Sequence, residues 1–226
     1  MFLSLIFNNP AVGLAWIIAI LMALTVHEFS HALAGKLRGD RTAERAGRLT
    51  LNPLAHIDWM GMIPLLLLGF GWAKPVPYNP NNLKNPKWDS VIVGLAGPAS
   101  NLIMAGISAL ILRGILLAGP FTSLNLLVVF LFLFILINLF LLFFNIVPVH
   151  PLDGSKLLFA LFDAPKYAKL REFVAVRGPQ ILLIAVIIAL ITDLNIFFFV
   201  SIPSFAVCSA VVGENCLAVL AAIFAG

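Results

Sequence analysis

Long apolar stretches, separated by polar and basic segments, set the pattern of the chain. An α-helix needs about twenty apolar residues to cross the roughly 30 Å hydrocarbon core of a bilayer. Four stretches satisfy that length and are predicted to be transmembrane helices: residues 11–34, 89–117, 124–147 and 178–200. Residues 205–224 are a fifth candidate, although Gly213 and Glu214 interrupt its centre. The pattern predicts an all-α integral membrane protein, a bundle of about four to five transmembrane helices in one domain, residues 1–226.

Two shorter segments break this pattern. Residues 59–72 are apolar, but they number only fourteen and contain Pro64 and three glycines. Such a segment is too short for an ordinary span and is predicted to be re-entrant or interfacial. Arg48–Leu51 precedes a turn signal at Asn52 and Pro53 and is predicted to be a short β-like stretch after the first span.

The basic residues are concentrated in three segments. Five lie in residues 35–58, three in residues 73–88 and five in residues 154–177, which leaves only Arg113 elsewhere. If residues 59–72 turn back without crossing, all three basic segments lie on one side of the membrane. The positive-inside rule assigns that side to the cytoplasm and therefore places the N-terminus outside.

Composition agrees with a membrane protein and narrows the function classes. Hydrophobic residues make up 62% of the chain and charged residues 11%, whereas soluble domains have about a quarter charged residues. The net charge of +4 follows from the basic membrane-flanking segments, so nucleic acid is not expected as a partner. Cys208 and Cys216 are a single pair in an apolar tail and define no disulfide framework.

The strongest chemical signal lies near the end of the first predicted span. His27, Glu28 and His31 form an H-E-x-x-H motif. On a helix, residues four apart project from the same face, so both imidazoles can bind one zinc ion. Glu28, about 100° around the helix, can reach a water molecule held at that ion. Histidine and glutamate are costly inside a membrane unless they are paired or bind a metal, which favours a metal site.

A catalytic zinc ion usually has three protein ligands and one open position. Asp153 follows the third predicted span in a Pro-Leu-Asp-Gly turn, at the same membrane depth as His31, and is the best candidate for the third ligand. Asp58 and Asp89 are at the same level, and for both an ordinary interfacial charge is the favoured interpretation.

Other polar residues have weaker claims. Asn101 and Asn145 lie in or at the end of predicted spans, and both structural and functional roles are open from their chemistry alone. Asn138 shares a helix face with Asn145 and is expected to form interhelical hydrogen bonds. His56 and His150 are on the predicted cytoplasmic side, where loop histidines are more often neither ligand nor acid.

Taken together, these motifs closely resemble those of the site-2 protease family, intramembrane zinc metalloproteases of peptidase family M50. Four motifs occur in family order: HEFSH at 27–31, NPLAHID at 52–58, GPASN at 97–101 and NIVPVHPLDG at 145–154. The chain resembles the compact prokaryotic branch, because it has neither a PDZ insertion nor a CBS extension.

The resemblance implies one Zn²⁺ per chain, bound by His27, His31 and Asp153, with Glu28 as general base. It also implies that Asn101 and Asn145 position substrate or stabilise the oxyanion.

The expected activity is hydrolysis of a peptide bond within or next to a transmembrane helix of a membrane protein substrate. The expected location is the cell membrane, with the active site near the cytoplasmic side. We expect the strand-like stretch Arg48–Leu51 to pair with the extended substrate. The rival interpretation is a membrane metal-ion transporter or metal-binding membrane protein, since buried histidines and an aspartate also suit ion passage.

Overall fold

The computed structural model describes residues 9–68, 71–118, 125–192 and 194–225, which are predominantly helical. In chain order the helices of these residues are α1 (Pro10–Leu37), α2 (Thr42–Arg45), α3 (Trp59–Leu68), α4 (Pro86–Ala118), α5 (Leu126–Asn145), α6 (Gly154–Leu161), α7 (Ala168–Ile191), α8 (Phe198–Val212) and α9 (Cys216–Ala225). Three short 3₁₀ turns lie between them: Pro53–Ala55, Pro80–Asn82 and Pro165–Tyr167. Residues 69–70, 124 and 193 of the predicted segments lie outside the described residues.

The first three predicted spans are confirmed as α1, α4 and α5, with ends that differ by a few residues. Their starts have local causes: Asn9 Oδ1 accepts from Val12 N at 3.3 Å before α1, and Asn125 Oδ1 accepts from Leu127 N at 3.0 Å before α5. Among the described residues, four helical segments are long and apolar enough to cross a membrane, which indicates an integral membrane protein.

The limits predicted for the fourth span are wrong. The prediction was 178–200, whereas α7 covers Ala168–Ile191 and ends at the extended residue Thr192. The predicted end was too late because the sequence stays apolar beyond the break at Thr192. The predicted start was too late because the first turns of α7 are helical although they carry charged residues. Phe197 then lies against Phe144, at the end of α5, with ring centroids 5.7 Å apart.

The fifth candidate, 205–224, is not one straight helix. α8 and the part of α9 up to Ile223 meet at an angle of 95°. Gly213 ends α8 with a φ of 87°, a conformation that favours glycine. A disulfide joins Cys208 to Cys216 across this bend, a pairing that the two cysteines alone did not predict. The bent pair counts as a fifth candidate span only if both helices are taken together.

The core of the bundle is formed where α1, α4 and α5 pack against one another. Phe132, Ile135 and Leu139 of α5 and Leu112 of α4 are almost completely buried. On the outer face of α4, in contrast, large apolar side chains such as Leu110 are exposed, as expected for a surface that faces lipid. This packing places His27 and His31 of α1 beside residues 93–101 of α4.

The three basic segments meet at one end of the bundle. Lys84 N donates to Arg38 O at 3.1 Å, which links residues 73–88 to residues 35–58. Lys87 Nζ lies 3.3 Å from Asp163 Oδ2, which links residues 73–88 to residues 154–177.

The segment 59–72, which contains α3, leaves this basic end of the bundle and returns to it. Trp72 Nε1 donates to Asp58 Oδ2 at 3.0 Å, so residues 59–72 begin and end close together. This is the path that a re-entrant segment requires, and its insertion into the bilayer stays a prediction.

The predicted β-like stretch after the first span is not formed. Residues 48–51 are irregular, and none of the described residues is in a strand. The side chain of Arg48 is buried instead, and its guanidinium group donates to the carbonyl oxygens of Lys74 and Pro75. These hydrogen bonds hold residues 48–51 against segment 71–79, so their main chain does not form a strand edge that could pair with another strand.

Candidate metal centre

The centre begins with two imidazoles on one face of α1. His27 and His31 are both buried, and their Nε2 atoms lie 3.0 Å apart. Their spacing of four residues on a helix brings the rings together on the side that faces α4. Gly97 of α4 makes this approach possible, because a Cβ at that position would lie 2.5 Å from His31 Nε2 and 2.6 Å from His27 Nε2.

Asp153 brings the third donor from the turn after α5. Its Oδ2 lies 3.2 Å from His27 Nε2 and 3.1 Å from His31 Nε2. The turn folds tightly back on the end of α5, since a Cβ at Gly154 would lie 2.1 Å from Ile146 O. Burial would raise the pKa of Asp153, but its close contacts with His27 and His31 and the nearby charge of Lys156 hold it well below its usual range. The carboxylate is therefore ionised, as a metal ligand must be.

The three donor atoms fit a zinc ion. In a tetrahedral site with bonds of about 2.0 Å, neighbouring donor atoms lie roughly 3.3 Å apart. The three separations observed here are 3.0, 3.1 and 3.2 Å. Two imidazole nitrogens and one carboxylate oxygen are also ligands that zinc prefers, and three protein ligands leave the fourth position open.

The second nitrogen of each histidine is fixed by a hydrogen bond, which sets the tautomer. His27 Nδ1 donates to Asn101 Oδ1 at 2.6 Å, and His31 Nδ1 donates to the carbonyl oxygen of Val93 at 2.6 Å. Asn101 Nδ2 in turn donates to Asn138 Oδ1 at 2.8 Å. With Nδ1 protonated, each Nε2 keeps a free lone pair directed at the common centre.

Glu28 lies beside the centre but is not one of the converging donors. Its Oε2 accepts a hydrogen bond from Val76 N at 3.1 Å. Val76 belongs to segment 71–79, which is irregular and is held by Arg48 at Lys74 and Pro75. The carboxylate is half-buried, and the second oxygen remains available for proton transfer.

A cavity of about 520 Å³ opens onto these residues. Its polar lining residues include His27, Glu28, His31, Asn145, Asp153, His150, Lys156 and Tyr78. Apolar side chains of α5 and α7 form part of the remaining wall, among them Leu141, Phe144, Leu182, Leu183 and Val186, and residues of segment 71–79 form another part. The polar groups of the centre thus face a largely apolar cavity, which is the usual form of a ligand-binding pocket.

The other predicted candidates have local structural partners. Asp58 accepts from Trp72, and Asp89 is buried, accepts from Asn85 N at 2.8 Å and lies 3.5 Å from Arg38. His56 Nε2 donates to Thr50 O at 2.9 Å, away from the donor cluster.

The remaining polar residues near the centre either line the cavity, as His150 and Asn145 do, or are fully buried, as Asn101 and Asn138 are. His150 lines the cavity, and its pKa is lowered by burial and by the charge of Lys156. The expected interhelical hydrogen bond of Asn138 is confirmed by its bond to Asn101. Asn145 lines the cavity and donates to Leu141 O at 3.0 Å, whereas Asn101 is fully buried behind His27.

Sequence reasoning missed the residues that support this centre without binding metal. Val76 and Val93 act through main-chain atoms, for which side-chain patterns give no signal. Arg48 was interpreted as part of a basic segment, yet it is buried. Within the part of the chain that the structure describes, His27, His31 and Asp153 are the group of histidine, cysteine and acidic residues close enough to hold a metal ion.

A buried His₂Asp donor set with an adjacent glutamate, inside a bundle of apolar helices, defines an integral membrane protein with a candidate metal site. The sequence model of Peptidase family M50 matches residues 15–125 and 115–191. The chain belongs to Peptidase family M50, which confirms the resemblance seen in its motifs.

Two curated relatives have names that specify a metalloprotease. "Putative zinc metalloprotease YwhC" of Bacillus subtilis (strain 168) is 40% identical over 162 residues, which cover 69% of this chain and 73% of that protein. "Putative zinc metalloprotease Rip2" of Mycolicibacterium smegmatis is 39% identical over 90 residues, which cover 38% of this chain and 34% of that protein. No solved structure matches the chain significantly.

Proposed function

We propose that this chain is a zinc-dependent intramembrane endopeptidase of the site-2 protease type. Its substrates would be membrane proteins or peptides, cut within or next to a transmembrane helix. The observation that supports this most strongly is the convergence of His27, His31 and Asp153 on one centre, with Glu28 at the edge of the same cavity. The names of the two relatives support zinc as the metal. We propose one zinc ion per chain.

His27, His31 and Asp153 would hold the zinc ion, which would supply a Lewis acid for the scissile carbonyl and lower the pKa of a water molecule. Glu28 takes the proton of this water as general base and later delivers it to the leaving amine. Asn101 orients the His27 ring from behind, because both polar ends of its side chain are engaged there. Asn145 lines the cavity, which supports a role in contacting substrate or the developing oxyanion.

The geometry of the cavity restricts how a substrate can bind. A transmembrane helix hides its peptide bonds in internal hydrogen bonds, so the bond to be cut has to be exposed by local unwinding. The walls formed by α5 and α7 suit the apolar side chains of such an unwound segment. Segment 71–79 contacts Glu28 through the Val76 amide and lines the cavity, whereas residues 48–51 are not among its lining residues. We therefore place the substrate beside 71–79 rather than beside 48–51.

We further propose that the protein lies in the cell membrane with the metal centre near the cytoplasmic side. Support comes from the three basic segments, which meet at the end of the bundle nearest the centre. The disulfide supports the same orientation. α8 starts beside Phe144 and passes Phe140, so Cys208 lies further from the site end. Disulfides persist in oxidising compartments and are rare in the cytosol.

The deciding experiment is cleavage of tagged single-span substrates by the purified protein and by Glu28→Gln. We expect wild-type protein to cut, and expect both the substitution and a zinc chelator to abolish cutting while Glu28→Gln still binds zinc. A Glu28→Gln variant that cuts as fast as wild type would overturn the mechanism. Zinc flux into vesicles would then test the transporter alternative, which at present lacks a second donor cluster among the described residues.

A further inference from the structure

We propose that Lys156 is a positioning residue that aims Asp153 at the two histidines. This inference rests on the proposed zinc site and adds a residue that supports it. Lys156 Nζ donates to Asp153 Oδ1 at 2.9 Å. The other oxygen, Oδ2, lies 3.2 Å from His27 Nε2 and 3.1 Å from His31 Nε2. The two oxygens of one carboxylate thus have different partners, and the contact with Lys156 keeps Oδ1 turned away from the centre.

An aspartate needs such a partner to hold one orientation. Rotation of the carboxylate about its last side-chain torsion has only broad, roughly two-fold minima. Hydrogen bonds to the second oxygen or nitrogen of a metal ligand fix its direction, and their loss typically costs about 10- to 100-fold in metal affinity. His27 and His31 have Asn101 and the Val93 carbonyl for this purpose. For Asp153 the corresponding group is the ammonium of Lys156.

The pair is more constrained than an ordinary ion pair at a protein surface. Exposed pairs contribute little because long side chains remain mobile in water. Here the side chain of Lys156 is 20% exposed and that of Asp153 is 11% exposed. Gly94 of α4 leaves room for the lysine stem, since a Cβ there would lie 2.5 Å from Lys156 Cδ and 3.1 Å from Asp153 O. The path of the stem is therefore set by close packing against α4.

A second contact holds the charged end of Lys156. Its Nζ lies 5.7 Å from the ring centroid of Tyr78, within the range of a cation–π interaction. Tyr78 belongs to segment 71–79, the segment whose Val76 amide binds Glu28. Lys156 is thus held between α4, Asp153 and segment 71–79, and this arrangement suits a group that must keep one direction.

The test measures zinc affinity by competition with a chelator in detergent, which needs no substrate. We expect Lys156→Met, which keeps the stem and removes the donor, to weaken zinc binding about 10- to 100-fold. Lys156→Arg keeps a charged donor and is expected to retain more affinity than the methionine variant. Lys166→Met is the matched control, because Lys166 also lies over a tyrosine ring, Tyr167, but away from the centre. We expect it to bind zinc as wild type does.

The visible spectrum of cobalt-substituted protein gives a second readout. Freeing Oδ1 should change the coordination of the metal, so the Lys156→Met spectrum should differ from wild type, whereas that of Lys166→Met should not. Gly94→Ala is a second route to the same effect, because the added methyl displaces the lysine stem.

Unchanged or increased zinc affinity in Lys156→Met, together with a wild-type spectrum, would overturn the positioning role even if the protein is a protease. Absence of zinc binding by wild-type protein would refute the proposed function and, with it, this role. Weakened zinc binding in Lys156→Met, together with zinc binding but no proteolysis by wild-type protein, would support the role of Lys156 and refute the proposed activity.

Discussion

Replacement of Gly97 by alanine is the sharpest test of how the metal centre is built. Gly97 lies on α4, and the two imidazole rings of α1 pack directly on its Cα. A Cβ at this position would lie 2.5 Å from His31 Nε2 and 2.6 Å from His27 Cε1. Non-bonded heavy atoms normally approach to about 3.5 Å, so the rings would have to retreat by about 1 Å. Metal–ligand distances tolerate only about 0.2 Å, so that retreat should break the donor geometry.

The expected result is a loss of at least about 100-fold in zinc affinity, which corresponds to about 2.7 kcal/mol or more. The assay is chelator competition with purified Gly97→Ala. Alanine is a better helix former than glycine by about 1 kcal/mol, so the variant should keep its helical content and its thermal unfolding transition.

Gly106→Ala is the matched control, because Gly106 is on the same helix and a Cβ there has nothing within 4 Å. It should bind zinc as wild type does. If Gly97→Ala and Gly106→Ala both bind zinc with wild-type affinity, the close approach of α1 to α4 is not needed for the centre, and the reasoning is refuted.

Two further predictions concern the surroundings of the centre. Asn101→Leu should leave His27 Nδ1 without its acceptor and lower zinc affinity about 10- to 100-fold in the same assay, and an unchanged affinity would contradict the orienting role. Burial would raise the pKa of Asp40, but hydrogen bonds from Thr42, Asn82 and the Asn79 amide lower it below its ordinary value of 3.8. Because the pKa of Asp40 is lower in the folded state than in the unfolded state, ionised Asp40 stabilises the fold at pH values above its ordinary pKa. This contribution is lost as the pH falls through the folded pKa. Asp40→Asn should therefore lower the free energy of unfolding by about 1–3 kcal/mol at pH 7, measured by denaturant titration. The difference from wild type should shrink below about pH 4. A difference that does not depend on pH would contradict the argument.

The proposed metal ligands and the main helices were predictable from the sequence because each has a strong local signal. His27 and His31 lie four apart on an apolar stretch, and Asp153 is one of few acidic residues near a span end. The limits of α7 were missed because hydropathy does not register a break such as the extended residue Thr192. The β-like stretch at 48–51 was wrong because the buried contacts of Arg48 fix an irregular path.

The contacts that support the centre could not be predicted from the sequence, because they depend on which helices pack against each other. α4 offers no metal ligand, yet Gly94, Gly97 and Asn101 are spaced by three and four residues and therefore share one face. That face gives Lys156 its space, lets the histidine rings approach and holds His27 Nδ1. The carbonyl of Val93, one residue before Gly94, holds His31. α4 is thus the template against which α1 and the Asp153 turn are aligned, so substitutions on this face should affect metal binding before they affect the fold.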